Sequence, residues 1–183
     1  SINSIQNYIL KQNTQKAYDY LAKFSKLIRL VLNNSKENML TLEQELTTLS
    51  LYVELEQLRF ENSFDFLVEV DKKAEPANCI LPGMLLQPFI ENAIWHGIMP
   101  LEGIRRGKVI LTIKAEPPIL LIHIEDNGIG REQSRHIHKS ATHRSVGMLL
   151  SQNRLAILNK SKDQELYLSL IHISRCRRLV ECR

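Results

Sequence analysis

Two short segments of this chain carry residues that could do chemistry. Glu91-Asn92-Ala93-Ile94-Trp95-His96-Gly97 is followed, about thirty residues on, by Asp126-Asn127-Gly128-Ile129-Gly130. Asn92 offers a neutral amide oxygen, a hard donor suited to a Mg²⁺ ion that bridges phosphates. Glu91 is a carboxylate able to polarise an attacking group. Neighbours on one helix point about 100° apart, so one can face a ligand and the other a wall. His96 lies one helical turn from Asn92 and can touch a phosphate. Asp126 ends an apolar run, where a carboxylate can accept a hydrogen bond from an exocyclic amine such as that of adenine. Gly128 and Gly130 allow close approach to a ring. A third segment, Ser145-Val146-Gly147-Met148, enters a predicted helix. A glycine loop at a helix start presents free N–H groups to phosphate, which makes Gly147 and Met148 candidate phosphate contacts.

Each piece also has an ordinary reading. Glu91 and His96 suit a solvated helix face, Asp-Asn-Gly is common turn chemistry, and Gly147 suits any helix start. Their order and distance favour a nucleotide site. The apolar run Leu85-Leu86-Gln87-Pro88-Phe89-Ile90 just before Glu91 also makes a casual polar cluster at that helix end the weaker reading. His136, His138 and His143 have only Glu132 near them at ligand spacing, so they read as solvated loop residues rather than a metal site.

The elements that must position these residues fall into two blocks. Residues 1–61 read as helix, with stripes at Ile2, Ile5, Ile9 and again from Tyr20 to Leu32 after a polar break at Gln12-Asn13-Thr14. Asn33-Asn34-Ser35 ends that helix. Thr41 with Gln44 predicts a capping box for the next, and Glu43 and Glu45 suit the positive end of its dipole. The stripes predict a helical block too thin to fold alone, which must pack on itself, on a partner chain or on the succeeding domain. From Phe64 to Val70 the period changes to that of a half-buried strand. Pro82 is expected in the first turn of a helix that runs to His96 and ends at Gly97, kinked or restarted at Pro88. Val109–Ile113 and Ile119–Ile124 predict a hairpin. A long polar loop spans about 128–145, a last helix covers Gly147–Asn159, and strands are expected at Leu166–Ile173 and Leu179–Arg183. The predicted fold is α+β, with residues 1–61 an all-helical block and residues 62–183 a sandwich whose helices cover one face of a mixed sheet.

Composition narrows the function classes. The chain has 183 residues, 44% apolar and 24% charged, with a net charge of +4. Six of the 24 Lys/Arg lie at or beyond Lys160, so the basic character belongs mainly to the C-terminal end. Aromatics are 6% with no basic–aromatic stripe, which argues against direct nucleic-acid binding. Cys79, Cys176 and Cys182 lack metal or disulfide spacing and are expected as free thiols in a reducing compartment. No signal peptide or membrane-length apolar run is present, and the start at Ser1 is expected to lie inside a longer protein.

These motifs resemble the Bergerat (GHKL) ATP-binding fold, and the wording is similar to LytS-type sensor histidine kinases. The similarity runs from residue 1 to about residue 170 and is most specific at Leu85–Ile94 with His96-Gly97, and at Tyr20–Arg29 and Tyr52–Phe60 in the helical block. The resemblance implies ATP and Mg²⁺ as cofactors, with Asn92 on the metal, Glu91 assisting phosphoryl transfer and His96 in the ATP site. It implies Asp126 reading adenine, Gly128 and Gly130 shaping its pocket, Gly147 and Met148 at the phosphates, and residues 131–146 as a lid. It implies a homodimer through the helical block and a response regulator, a DNA-binding transcription regulator, as partner. The chain would be a cytoplasmic domain, joined to the membrane only through an upstream sensor region. The family's acceptor histidine lies in a segment like N-P-H-F-L-F-N-S-x-N-S-I-Q, which would place it about five residues before Ser1. Two departures stand out. Trp95 occupies a place where Lys is common, and the tail from Ile171 lacks the family's Gly-Thr turn, which suggests a foreign segment. The competing reading is a non-catalytic dimerisation and interaction module with a vestigial pocket. A GHKL ATPase of the mismatch-repair or chaperone kind is disfavoured, because those place the pocket near their own N-terminus.

Overall fold

The computed structural model describes residues 2–37, 39–116, 119–130 and 177–182. The chain opens with two helices, α1 (Ile2–Leu10) and α2 (Thr14–Asn34). A short strand β1 (Met39–Thr41) leads into α3 (Leu42–Arg59). Next come β2 (Phe64–Val70), β3 (Ile80–Pro82) and the short helix α4 (Gln87–Asn92). The helical path continues without a break through a π-helical turn, Ala93–Ile98, and a 3₁₀ turn, Met99–Leu101. Strands β4 (Gly107–Glu116), β5 (Ile119–Asp126) and β6 (Arg177–Cys182) complete the described chain.

The helix punctuation is set by the side chains. Asn13 caps α2 by accepting the Lys16 N–H. Thr41 caps α3 in the predicted box, its hydroxyl accepting from Gln44 N–H while the Gln44 side chain accepts from Thr41 N–H. Such a cap satisfies two amides that the helix geometry leaves unpaired.

The main sheet has the order β2-β4-β5-β6 and is mixed. β2 runs parallel to β4, from Phe64 opposite Gly107 to Val70 opposite Ile113, and β4–β5–β6 are antiparallel neighbours. A parallel pair needs a long crossover, and here that crossover contains α4. Val109, Leu111 and Ile113 of β4 and Leu120, Ile122 and Ile124 of β5 alternate into the core. Phe89, Ile90 and Ile94 pack onto that face with Leu42, Leu49 and Val53 of α3. β2 is an edge strand whose burial fades after Phe64, leaving Leu67 and Val68 exposed.

A second, smaller core joins Tyr8, Ala17, Tyr20 and Leu27 of α1 and α2 to Leu51 and Leu55 of α3. Leu49 and Leu51 lie two positions apart, about 200° around the helix. α3 is therefore apolar on two opposite sides and serves as a wall shared by both cores, which is how the thin helical block acquires a support.

Two expectations need correction. Ile80–Pro82 is not the start of a helix; it pairs antiparallel with Met39–Thr41. Met84 then takes a positive φ of 58°, and the helix begins only at Gln87, with Pro88 in its first turn. Gly97 does not end that helix, because it lies inside the π-helical turn. The tail segment 177–182 pairs with β5, and the strand expected at 166–173 lies outside the described residues.

Candidate functional site

The two motifs meet at Gly97. A Cβ added there would sit 2.6 Å from Asp126 Oδ1, and one added to Gly128 would fall on the Gly97 backbone. Ile129 N–H donates to the Gly97 carbonyl at 3.1 Å. The helical turn and the strand-end turn thus touch backbone to backbone, which only glycine at both positions permits. That contact, rather than helix termination, is the reason for Gly97.

Asp126 is 5% exposed, and its Oδ1 accepts the Gly128 N–H at 3.0 Å. The following turn is held from several sides. Asn127 Oδ1 accepts from Lys108 N–H at 2.7 Å, and its Nδ2 donates to the Arg106 carbonyl at 3.1 Å. Arg105 donates to the carbonyls of Asn127 and Gly128 at 2.5 and 3.1 Å. Gly130 has φ 79°, and among the described residues nothing lies within 4 Å of where its side chain would begin. The turn is thus fixed at its base and, among the described residues, uncovered at its far end.

On α4, Asn92 is buried and its Nδ2 donates to the Pro88 carbonyl at 2.7 Å. That bond uses the nitrogen and leaves Oδ1 as the atom for a ligand. Glu91 is half-buried, and its Oε1 accepts from Gln87 Nε2 at 2.8 Å. His96 is half-buried within the π-helical turn. A face drawn at 3.6 residues per turn does not carry from Asn92 to His96 there, because π-helical bonding runs i to i+5. Gly147 and Met148, the histidines at 136, 138 and 143, and the proposed lid lie outside the described residues.

Among the described residues no group of three or more His, Cys, Asp or Glu forms a metal cage. Mg²⁺ is commonly bound through one or two protein oxygens plus phosphate, so a single amide oxygen at Asn92 fits its chemistry. Asp126 with its open glycine turn fits a ring bearing an amine.

Several site features escaped the sequence reading. Trp95 is not aimed solely at solvent: its ring meets Phe60 edge-on at 5.3 Å, and the Arg59 guanidinium lies 4.5 Å over it. Arg59 also pairs with Glu56 at 3.7 Å. Glu56 is 7% exposed, and among the described residues its Oε2 has no hydrogen-bond partner. Burial pushes its carboxyl above the usual carboxylate range and Glu91 adds to this, while Arg59 opposes both. Burial likewise raises the Tyr52 phenol, with Glu56 and Glu91 reinforcing it. Glu45, read from sequence as a dipole residue, is instead buried and accepts from Met84 N–H at 2.8 Å and Leu86 N–H at 2.9 Å. The one signal for these contacts was that Glu45 and Glu56 fall among the apolar positions of α3.

Comparison with known proteins identifies the family. The histidine kinase family model matches residues 1–64, the helical block and the first residue of β2. The sensor histidine kinase YpdA of Escherichia coli K12 is 27% identical over 176 residues, 96% of this chain and 29% of that protein. The sensor histidine kinase/phosphatase LytS of Staphylococcus aureus MRSA252 is 33% identical over 132 residues, 71% of this chain and 22% of that protein. The chain thus spans less than a third of these relatives. Among solved structures, the histidine kinase domain of the blue-light activated kinase from Erythrobacter litoralis EL346 shares the fold. Its TM-score is 0.52 at 14% identity, covering 88% of this chain and 72% of that one. The α+β sandwich with its helical prefix is thus a histidine kinase architecture, and the chain belongs to the histidine kinase family, alongside the LytS-type sensor kinases.

Proposed function

We propose that this chain is the kinase core of a two-component sensor, binding ATP with Mg²⁺ and directing the γ-phosphoryl group to a histidine upstream of Ser1. The observation that carries the reading is the backbone contact of Gly97 with the Asp126–Gly128 turn, which joins the amide-bearing helix to the amine-reading turn. Asn92 Oδ1 holds the metal, and Asp126 accepts the adenine amine. Gly128 and Gly130 leave room for the ring. His96, Gly147 and Met148 keep the phosphate-contact role that the family resemblance implies. Glu91 orients the accepting imidazole and takes its proton as the new N–P bond forms and the bond from the γ-phosphorus to the β–γ bridging oxygen breaks, releasing ADP. Bound Mg²⁺ supplies charge neutralisation on the phosphates, and positioning by these residues supplies most of the rest.

The helical block is the dimerisation region of residues 1–61, and residues 62–183 form the catalytic domain. The phosphoryl group then passes to an aspartate of a response regulator that binds DNA as a transcription regulator. The likeness to sensor histidine kinases supports a chain that works in the cytoplasm, attached to a membrane sensor region. Among the described residues no helix is long and apolar enough to cross a membrane.

The test restores the upstream segment with its histidine and tracks labelled ATP. Acid-labile phosphorylation that disappears when that histidine is replaced is the expected result. Sound ATP binding with no acid-labile label overturns the kinase reading. One observation favours a second reading, an interaction module with a vestigial pocket: Trp95 is occupied by Phe60 and Arg59. That reading gains if no adenine nucleotide binds at any concentration tested.

A further inference from the structure

We propose that Glu45 is a positioning residue for the ligand-bearing helix α4, holding Glu91 and Asn92 in register with the Asp126 turn. The proposal rests on the reading of Asn92 and Asp126 as the nucleotide site.

Glu45 lies in the first turns of α3, on the helical block, yet its carboxylate is 3% exposed. Its two oxygens accept two separate backbone N–H groups, one each from Met84 and Leu86. These amides belong to the segment that enters α4, about forty residues away in sequence. Leu86 is the N-cap residue of α4 and has no side-chain cap of its own. The Glu45 carboxylate therefore takes, from another helix, the N-cap N–H that the N3 Glu of a capping box would take locally.

Met84 makes the grip specific. It holds a positive φ of 58° without being glycine, a conformation that L-residues avoid. A charged acceptor on its N–H helps to fix that turn, and the turn sets the direction in which α4 departs. Beyond α4, Arg59 and Phe60 hold Trp95 in the π-helical turn. α3 thus grips the α4 path near both ends, and Asn92 lies between the grips. A merely structural carboxylate would stabilise the fold as a whole; a positioning carboxylate governs order in α4 and affinity at the site.

The substitution Glu45→Gln keeps the shape and replaces one acceptor by an NH₂ group that meets a backbone N–H. Amide hydrogen exchange is measured on parent and variant, together with calorimetric titration of each with ATP and Mg²⁺. The expected result is faster exchange confined to 84–98, unchanged exchange in 107–126, and affinity weakened by about tenfold or more, the scale of a lost charged hydrogen bond. Glu45→Asp keeps both acceptors on a shorter stem and is expected to fall between the two. It also supplies the readout if the Gln variant does not fold. Unchanged exchange at 84–98, or an even loss across the sheet, overturns the positioning role. A parent that binds and a variant that binds equally well overturns Glu45 alone. A parent that binds no nucleotide overturns the site reading and with it this role.

Discussion

At the scale of single residues, the site depends on how little room two glycines leave. Asp126 Oδ1 lies where a Gly97 side chain would begin, and the Gly97 backbone lies where a Gly128 side chain would begin. Gly97→Ala is expected to destabilise the fold by about 1–3 kcal/mol, the usual scale for forcing a methyl into packed space. Its affinity for ATP should fall by about tenfold or more, about 1.4 kcal/mol, as Asp126 is displaced. Paired melting and titration curves check this, and a variant matching the parent in both would show that the contact is loose. The types of these residues were legible in the sequence because Asn-x₄-Gly and Asp-x-Gly-x-Gly each ask for something unusual of the backbone. Their contact was not legible, since it joins positions about thirty apart and depends on a π-helical turn that no periodicity signals. The same holds for Trp95, whose partners Arg59 and Phe60 come from another helix and its end.

At the scale of elements, α3 matters most. It lends Leu49 and Val53 to the sheet core, Leu51 and Leu55 to the helical core, and Glu45 and Arg59 to the path of α4. Helices α1 to α3, the capping box and strands β2, β4 and β5 could be read directly, because local period and cap chemistry decide them. The strand at Ile80–Pro82 could not, because a three-residue apolar run ending in a proline fits a helix start as well as a strand. Its partner β1 is what decides. Glu56, buried near the end of α3, provides a pH test. Its raised folded-state value means that the native chain binds its proton more tightly than the unfolded chain does. This group's contribution is therefore most favourable at low pH and is lost as pH rises from the ordinary carboxylate range through the raised value. Against a Glu56→Gln variant, the parent should lose relative stability over that rise. Denaturation of both at a series of pH values measures it, and a constant difference would remove Glu56 as the source.

At the scale of the whole molecule, the helical block leaves apolar side chains uncovered. Ile9, Leu10, Tyr18, Leu21, Ile28 and Leu32 on α1 and α2 are each more than 40% exposed. By their spacing Tyr18, Leu21, Ile28 and Leu32 share one face of α2, and exposed apolar surface of this kind is a mark of protein association. The proposed homodimer predicts a mass that doubles with concentration in sedimentation, reversed by Leu21→Glu with Leu32→Glu; a monomer at every concentration contradicts it. The central claim concerns the pocket, and titration with ATP and Mg²⁺ by calorimetry tests it most directly. The parent chain is measured beside Asp126→Asn. In Asp126→Asn one carboxylate oxygen becomes an NH₂ group, a donor that opposes whichever of the Gly128 N–H and the adenine amine it faces. The account predicts one ATP bound per parent chain and binding lost in the variant. No binding in the parent, or equal binding in both, would contradict it.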